Sequence, residues 1–308
     1  MLQGRHLRTA RQSTLVYPLL GSSLDLGVAR VAGHGLGNCF YTYFHAAVLA
    51  QRSSARLIAP PWFSVKMGPV LRGSTSRRFY WRMFGPLDGD LSGVQKVNAL
   101  LFRRPRVVHQ VDGTSEPILV PGALNLVAST RFTFMGLHSH RQMIRERLLG
   151  IVKDPVPTGH GWGRAPYIAV HVRLDDFFPA VDPKRILSGE SNLQIPMSWY
   201  LSIIDALRRR FGDREIRIFS DGTEEQLEPL LKLGARLYRS GSDMTDLLAM
   251  SGASLLVGSN STYSRWAAFL GDMPSIWLKT SKPGEQPTNP QTPVLYIALD
   301  DSRPTLWS

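Results

Sequence analysis

The sequence predicts an α/β protein of two lobes, and three observations carry that expectation. Residues 165–278 alternate short apolar runs with helix-patterned stretches: YIAVHV, MSWYLSIIDALRRRF, EIRIFSD, EEQLEPLLKL, ARLYRS, MTDLLAMSG, SLLVGS, STYSRWAAFLG and SIWL. Unbroken apolar strands set between helices mark a parallel sheet covered on both faces. The same order opens the chain, where LGVARVA (26–32) reads as a strand, GHGLG (33–37) as a tight loop, NCFYTYFHAAVLAQRSS as a helix and ARLIAP as the next strand. Between these regions lies VKDPVPTGHGWGRAP, with three prolines and three glycines in fifteen residues. Such punctuation divides the chain into an N-terminal lobe, 1–155, and a C-terminal lobe, 156–308.

The remaining elements follow from shorter patterns. RRPRVVHQV and EPILV read as strands, and HSHRQMIRERLLGIV as an amphipathic helix. The polar, proline-rich KTSKPGEQPTNPQTPV reads as a loop before a last strand, VLYIAL. The aromatic stripe FYTYFHAAVL after Asn38 reads as core, since it is apolar on every side.

Composition narrows the class. At 308 residues and 43% hydrophobic content the chain can bury two ordinary cores. A single cysteine, Cys39, excludes an intramolecular disulfide and a cysteine-based zinc site, which points to a reducing compartment. No run of about 18 apolar residues occurs and the first twenty residues lack a signal-peptide core, so the expectation is a soluble, cytoplasmic chain.

Charge is unevenly placed. Residues 1–160 hold 20 Lys/Arg against 7 Asp/Glu, while residues 161–308 hold 16 against 17. The basic half, with clusters at Arg77-Arg78 and Arg103-Arg104-Pro105-Arg106, predicts an anionic partner: a phosphorylated substrate, an acidic glycan, nucleic acid or an anionic membrane met peripherally. The alternative is a basic surface that serves solubility.

In open parallel sheets, ligands bind beyond the carboxyl ends of the strands. Three stretches fit that place. In Gly33-His-Gly-Leu-Gly-Asn38, glycines allow backbone amides to approach an anion at a helix start, although Asn38 breaks the dinucleotide G-x-G-x-x-G pattern. The alternative there is a turn required only for packing. In HVRLDDF (171–177) an imidazole, a guanidinium and two carboxylates follow a strand, and the arginine fork suits a pyrophosphate. The alternative is a surface cluster in which Arg173 pairs with Asp175 or Asp176. In SNSTYS (259–264), hydroxyls crowd a strand end and a helix start, where capping needs only one of them. His138 and His140 lack a carboxylate spaced to complete a metal site and read as core or solvated histidines.

Together, Gly35-Leu-Gly-Asn38, HVRLDDF and DLLAMSGASLLVGSNSTYSRWAAFLG, in this order and spacing, resemble the three marker segments of the α-1,2-fucosyltransferases. The likeness spans residues 30–280, apart from the middle of the first half. It implies two Rossmann-like lobes of the GT-B type with a cleft between them, the donor GDP-β-L-fucose held mainly by the C-terminal lobe, and no metal ion or other cofactor. It implies transfer with inversion to a hydroxyl of an oligosaccharide or lipid-linked glycan, with α-1,2 linkage to a galactoside. Nucleic acid is then not an expected partner.

Position by position, the resemblance gives His171 and Asp246 a guanine contact and places Arg173 on the β-phosphate. It makes Ser261, Thr262 and Ser264 donor-binding hydroxyls and sets Gly35, Gly37 and Asn38 toward the reacting sugar. Arg173, Asp176 and Asn38 are the catalytic candidates; Asp176 occupies the family aspartate position as base or as a brace for Arg173, with His34 and Asp175 as alternative bases. The chain departs from the pattern at Leu174, where a second arginine is usual, at Asp175 for glycine, Cys39 for glutamine and Arg265 for tryptophan. The lost guanidinium leaves open a different donor or linkage, unless Arg265 supplies the charge. A non-catalytic nucleotide-sugar-binding or nucleic-acid-binding protein is the alternative from another class.

Overall fold

The computed structural model describes residues 13–21, 24–25, 27, 29–31, 34–65, 80, 82–112, 117–129, 131, 133–175, 177–179, 182–190, 192–282 and 284–307. These fall into two compact units, one within 1–65 and 85–137 and the other within 66–84 and 138–308. Asp176, Gly33 and the Arg77-Arg78 pair lie outside the described residues.

The first unit is built on β1 (Leu15–Pro18), whose four residues are all buried. Around it runs a parallel sheet in the order β4-β1-β7-β6, with β4 at Arg56–Leu57, β6 at Arg106–Val111 and β7 at Leu124–Ser129. Helix α1 (Leu36–Arg52) lies against β1, β4 and β7. Residues 36–50 of it are buried except Asn38, as an all-round apolar helix requires. Phe40, Tyr43 and Trp62 form an edge-packed cluster with ring centroids 5.0–5.9 Å apart, so the aromatic stripe is core. Helix α2 (Gly93–Phe102) packs Ala99 and Leu100 on the cluster of Leu15, Tyr17, Ile58, Leu91 and Leu124.

Two expected strands differ here. Of LGVARVA, only Arg30–Val31 is strand among the described residues; it is β3 of a small sheet with β2 (Leu24–Asp25) and β5 (Ser64–Val65). The parallel strand that precedes α1 in the main sheet of this unit is Leu15–Pro18, and the antiparallel pair β2-β3 falls between them in the chain. Gly21, at φ +68, returns the chain beside the loop before α1: a Cβ there would lie 1.9 Å from the His34 ring. Arg30 is fully buried and ties the pair down, donating to the carbonyls of Leu20 (2.9 Å), Pro61 (2.8 Å) and Trp62 (3.1 Å). EPILV is the second difference. Its described residues 117–120 are not strand, and Leu124–Ser129 pairs instead. Asn125 is fully buried in β7, and its amide bonds the 120 and 15 backbones and His109, which a hydropathy pattern does not anticipate.

The second unit follows the predicted alternation. Helix α3 (Arg141–Ile151), after a 3-10 turn at His138–His140, precedes β8 (Ala165–Val172). Then come α4 (Pro183–Leu187), α5 (Met197–Phe211), β9 (Ile216–Ser220), α6 (Glu224–Leu231), β10 (Arg236–Tyr238), α7 (Asp243–Gly252), β11 (Ala253–Val257), α8 (Thr262–Gly271), β12 (Ser275–Leu278) and β13 (Val294–Ile297). The sheet is parallel throughout in the order β10-β9-β8-β11-β12-β13. That is the doubly wound order, which reverses direction between β8 and β11.

Local chemistry explains the element limits. Thr223 and Gln226 form a reciprocal capping box at α6. Ser242 and Ser261 cap α7 and α8, and Asp272 ends α8 in the left-handed conformation at φ 51. Helix α5 buries Trp199, Tyr200, Ile203, Ile204 and Leu207, one stripe at helical spacing, each worth about 1.5–3 kcal/mol when fully removed from water. Trp266 to Leu270 are fully buried, and α8 packs on α7 and α3.

Candidate functional site

At the reversal of the sheet, the carboxyl ends of β8, β9 and β11 gather residues distant in the chain. His171 is the penultimate residue of β8 and is 3% exposed. Its Nδ1 lies 2.7 Å from Ser259 Oγ, beyond β11, and its ring lies 5.5 Å from that of Tyr263 on α8. Burial pushes the imidazole well below its usual pKa, against the upward pull of Asp221. His171 is therefore a neutral hydrogen-bonding group near pH 7.

Arg173 follows β8 directly. Its Nη1 lies 3.2 Å from Asp221 Oδ2, and the other oxygen of Asp221 accepts from the Leu174 amide at 2.8 Å. The register Val172↔Ser220 brings Arg173 and Asp221 side by side as each strand ends. The guanidinium also lies 5.7 Å from the centre of the Phe177 ring. Asp221 was missed in the sequence. The signal was there, in a carboxylate closing the strand EIRIFSD, but strand adjacency was needed to give it a partner.

The hydroxyls of 259–264 divide their work. Ser261 Oγ caps α8 by accepting from the Tyr263 amide at 3.2 Å. Ser264, fully buried, donates to the carbonyls of Ser259 and Ser261, each at 3.1 Å, so it braces the loop from inside. Thr262 is half-buried, and its hydroxyl has no hydrogen-bond partner among the described residues. The helix N-terminus adds a partial positive charge at the same place.

Asp246 sits in the first turn of α7 and accepts from the amide (3.0 Å) and hydroxyl (2.6 Å) of Ser240. Burial raises its pKa, partly offset by those hydrogen bonds. Tyr263 Oη donates to Asp243 O, which joins α8 to the start of α7 and closes the group. His171, Arg173, Asp246, Ser261 and Thr262 thus all lie on the second unit, around one connected set of loops.

A pocket of about 170 Å³ is lined by Ser259, Asn260, Arg265, Trp277, Lys282 and Tyr296 among others. Arg265 belongs here. Its Nη1 donates to Glu285 O at 2.9 Å and its guanidinium lies 5.2 Å from the Trp277 ring. Leu174, at the position of the family's second arginine, is 8% exposed within the hydrophobic cluster. A Cβ on Gly222 would meet its Cδ1 at 2.4 Å.

In the first unit, Gly35 is the N-cap residue of α1 and Gly37 and Asn38 lie in its first turn. A Cβ at Gly35 would enter open space. Asn38 Oδ1 is buried with no hydrogen-bond partner among the described residues, which is costly unless a ligand donates to it. His138 packs on Phe269 and approaches Arg141 at 3.3 Å. No group of three or more possible metal ligands occurs among the described residues.

No protein-family model and no curated protein matches the chain. Among solved structures, the NodZ α-1,6-fucosyltransferase soaked with GDP-fucose is similar over 89% of this chain and 97% of its own, at 14% identity and a TM-score of 0.49. Selenomethionine fucosyltransferase NodZ from Bradyrhizobium has the same coverage and identity at a TM-score of 0.43. POFUT1 in complex with GDP-fucose is similar over 94% of this chain and 99% of its own, at 13% identity and 0.40.

Proposed function

We propose that the protein is an inverting glycosyltransferase that moves fucose from GDP-β-L-fucose to a hydroxyl of a glycan acceptor without a metal ion. One observation carries this reading: Arg173, aimed by Asp221, shares a set of loops with the α8 N-terminus and Asp246 at the reversal of a doubly wound sheet. The motif order in the sequence supports the same assignment.

In this reading Arg173 offers a fork of donors to the diphosphate, and the amide end of α8 with the Thr262 hydroxyl adds further donors. Asp246, and His171 through its neutral ring, are assigned to the guanine contact by the resemblance. The acceptor oxygen attacks the anomeric carbon as the bond to the β-phosphate oxygen breaks, and GDP leaves with the charge that these donors stabilise. The acceptor proton passes to a base, with Asp176, His34 and Asp175 as the candidates. The resemblance assigns Asn38 to the reacting sugar, and its unsatisfied amide oxygen supports a role as acceptor from a hydroxyl.

The third marker segment favours α-1,2 linkage to a galactoside. A different linkage or another GDP-sugar is the second reading, because Leu174 is packed in the core and Arg265 is engaged with Glu285 and Trp277. Calorimetry with GDP, GDP-fucose, GDP-mannose and a short oligonucleotide tests the donor class. Turnover of GDP-fucose with a panel of galactosides, read by mass spectrometry and NMR and repeated in EDTA, tests linkage and metal independence. Oligonucleotide binding without affinity for GDP would overturn the proposal, and loss of turnover in EDTA restored by Mn²⁺ would overturn its metal-free form.

A further inference from the structure

Helix α2 is turned inside out. Its lysine, Lys96, is buried with Ala99, while Val94 (76% exposed), Val97 (40%), Leu101 (57%) and the terminal Phe102 (76%) face solvent. Val94, Val97 and Leu101 stand at i, i+3 and i+7, so they form one stripe along the helix. Burying Lys96 is unfavourable, and its pKa falls to about 8 through desolvation. A surface helix with this arrangement has an apolar face reserved for something other than its own core.

The chemistry around the stripe identifies the occupant. Arg103, Arg104 and Arg106 cluster at the C-terminal end of the stripe, with no acidic residue between Asp90 and Asp112. Arg104 and Arg106 are exposed just beyond the end of the helix. We propose that α2 and the 103–106 arginines dock on an anionic lipid surface, the stripe entering the acyl boundary and the guanidinium groups meeting lipid phosphate. The proposal does not depend on the donor assignment. A second copy of the chain fits less well: a two-fold contact would set like-charged arginines against each other. One face of a helix about 15 Å long also falls far short of the roughly 800 Å² per partner that a stable dimer needs.

The test is co-sedimentation of the full chain with vesicles of phosphatidylcholine alone or mixed with phosphatidylserine, at low and high salt. The protein should sediment with the mixed vesicles at low salt, and high salt should release most of it. Two variants separate the contributions: Val94→Ser/Val97→Ser/Leu101→Ser, and Arg104→Gln/Arg106→Gln. All five positions are exposed, but Arg104 donates to the carbonyls of Leu101 and Arg103, and Arg106 to that of Leu100, so the glutamine variant should lower the thermal midpoint by no more than a few degrees. Both variants should stay folded, and each should lose about tenfold or more in vesicle affinity. Absence of sedimentation with mixed vesicles, or affinity retained by both variants, overturns the proposal. So does self-association in analytical ultracentrifugation that the serine variant abolishes, because that result assigns the stripe to a second copy.

Discussion

Asp221 Oδ2 lies 3.2 Å from Arg173 Nη1 while Oδ1 accepts from the Leu174 amide, so one carboxylate fixes both the guanidinium and the backbone that carries it. Arg173→Ala should weaken GDP binding by about 10–100-fold, as expected for loss of a charge-assisted hydrogen bond of about 1.5–3 kcal/mol. Arg173→Lys should recover little of it, since lysine lacks the fork. Asp221→Asn should weaken GDP in the parent chain and have almost no further effect beside Arg173→Ala. Calorimetry of the full double-mutant cycle decides this: independent, additive losses would mean that Asp221 does not act through Arg173.

Asp246 distinguishes the base from the phosphates. Asp246→Ala should reduce affinity for GDP by tenfold or more and leave pyrophosphate within about twofold, since a lost hydrogen bond to a charged group costs about 1.5–3 kcal/mol. Competition binding with the two ligands reads the difference. Equal losses for both would place Asp246 away from the guanine.

Asp272 is a stability hub rather than a site residue. It pairs with Arg141 Nη1 at 2.8 Å and accepts from the Asn289 amide at 2.9 Å, the Asn289 side chain and Thr292 Oγ1 at 3.0 Å. Asp272→Ala leaves the Arg141 guanidinium, 8% exposed, without its carboxylate. The expected cost is about 3–5 kcal/mol, and Arg141→Met in the same chain should restore part of it. Urea denaturation measures both; a loss below about 1 kcal/mol would show that the pair is not coupled to folding.

Lys96 makes stability depend on alkaline pH. Its pKa is 10.5 when unperturbed and about 8 in the folded chain, lowered by burial and only partly restored by Asp25. Between these values the unfolded chain holds the extra proton, so this group makes stability climb as pH rises from 8 to 10.5 and contributes no slope below 8. Lys96→Met should remove that rise. Denaturation midpoints of the two chains across this range, compared as a difference, should diverge; parallel curves would mean that Lys96 titrates as in water.

Much of the second unit was legible in the sequence, for a local reason. Its strands lie inside a sheet covered on both faces and appear as continuous apolar runs, and its helices carry their own caps at Thr223, Ser242 and Ser261. The loop of hydroxyls was also visible, although not that Ser264 turns inward. The first unit was less legible. Leu15–Pro18 is four residues long and ends in proline, and β7 carries the buried Asn125, whose hydrogen bonds reach residues as far away as Leu15.

By itself, then, the sequence determined the alternation, the helix limits and the chemistry available at the strand ends, because these depend on neighbours within a few residues. Tertiary structure decided what that chemistry meets. Arg173 pairs with Asp221 because β8 and β9 are adjacent and in register, Arg265 joins the Trp277 pocket because the helix turns it there, and α2 faces outward because Ala99 and Leu100 hold the sheet. Each is set by packing between elements distant in the chain, and no periodicity within one element encodes it.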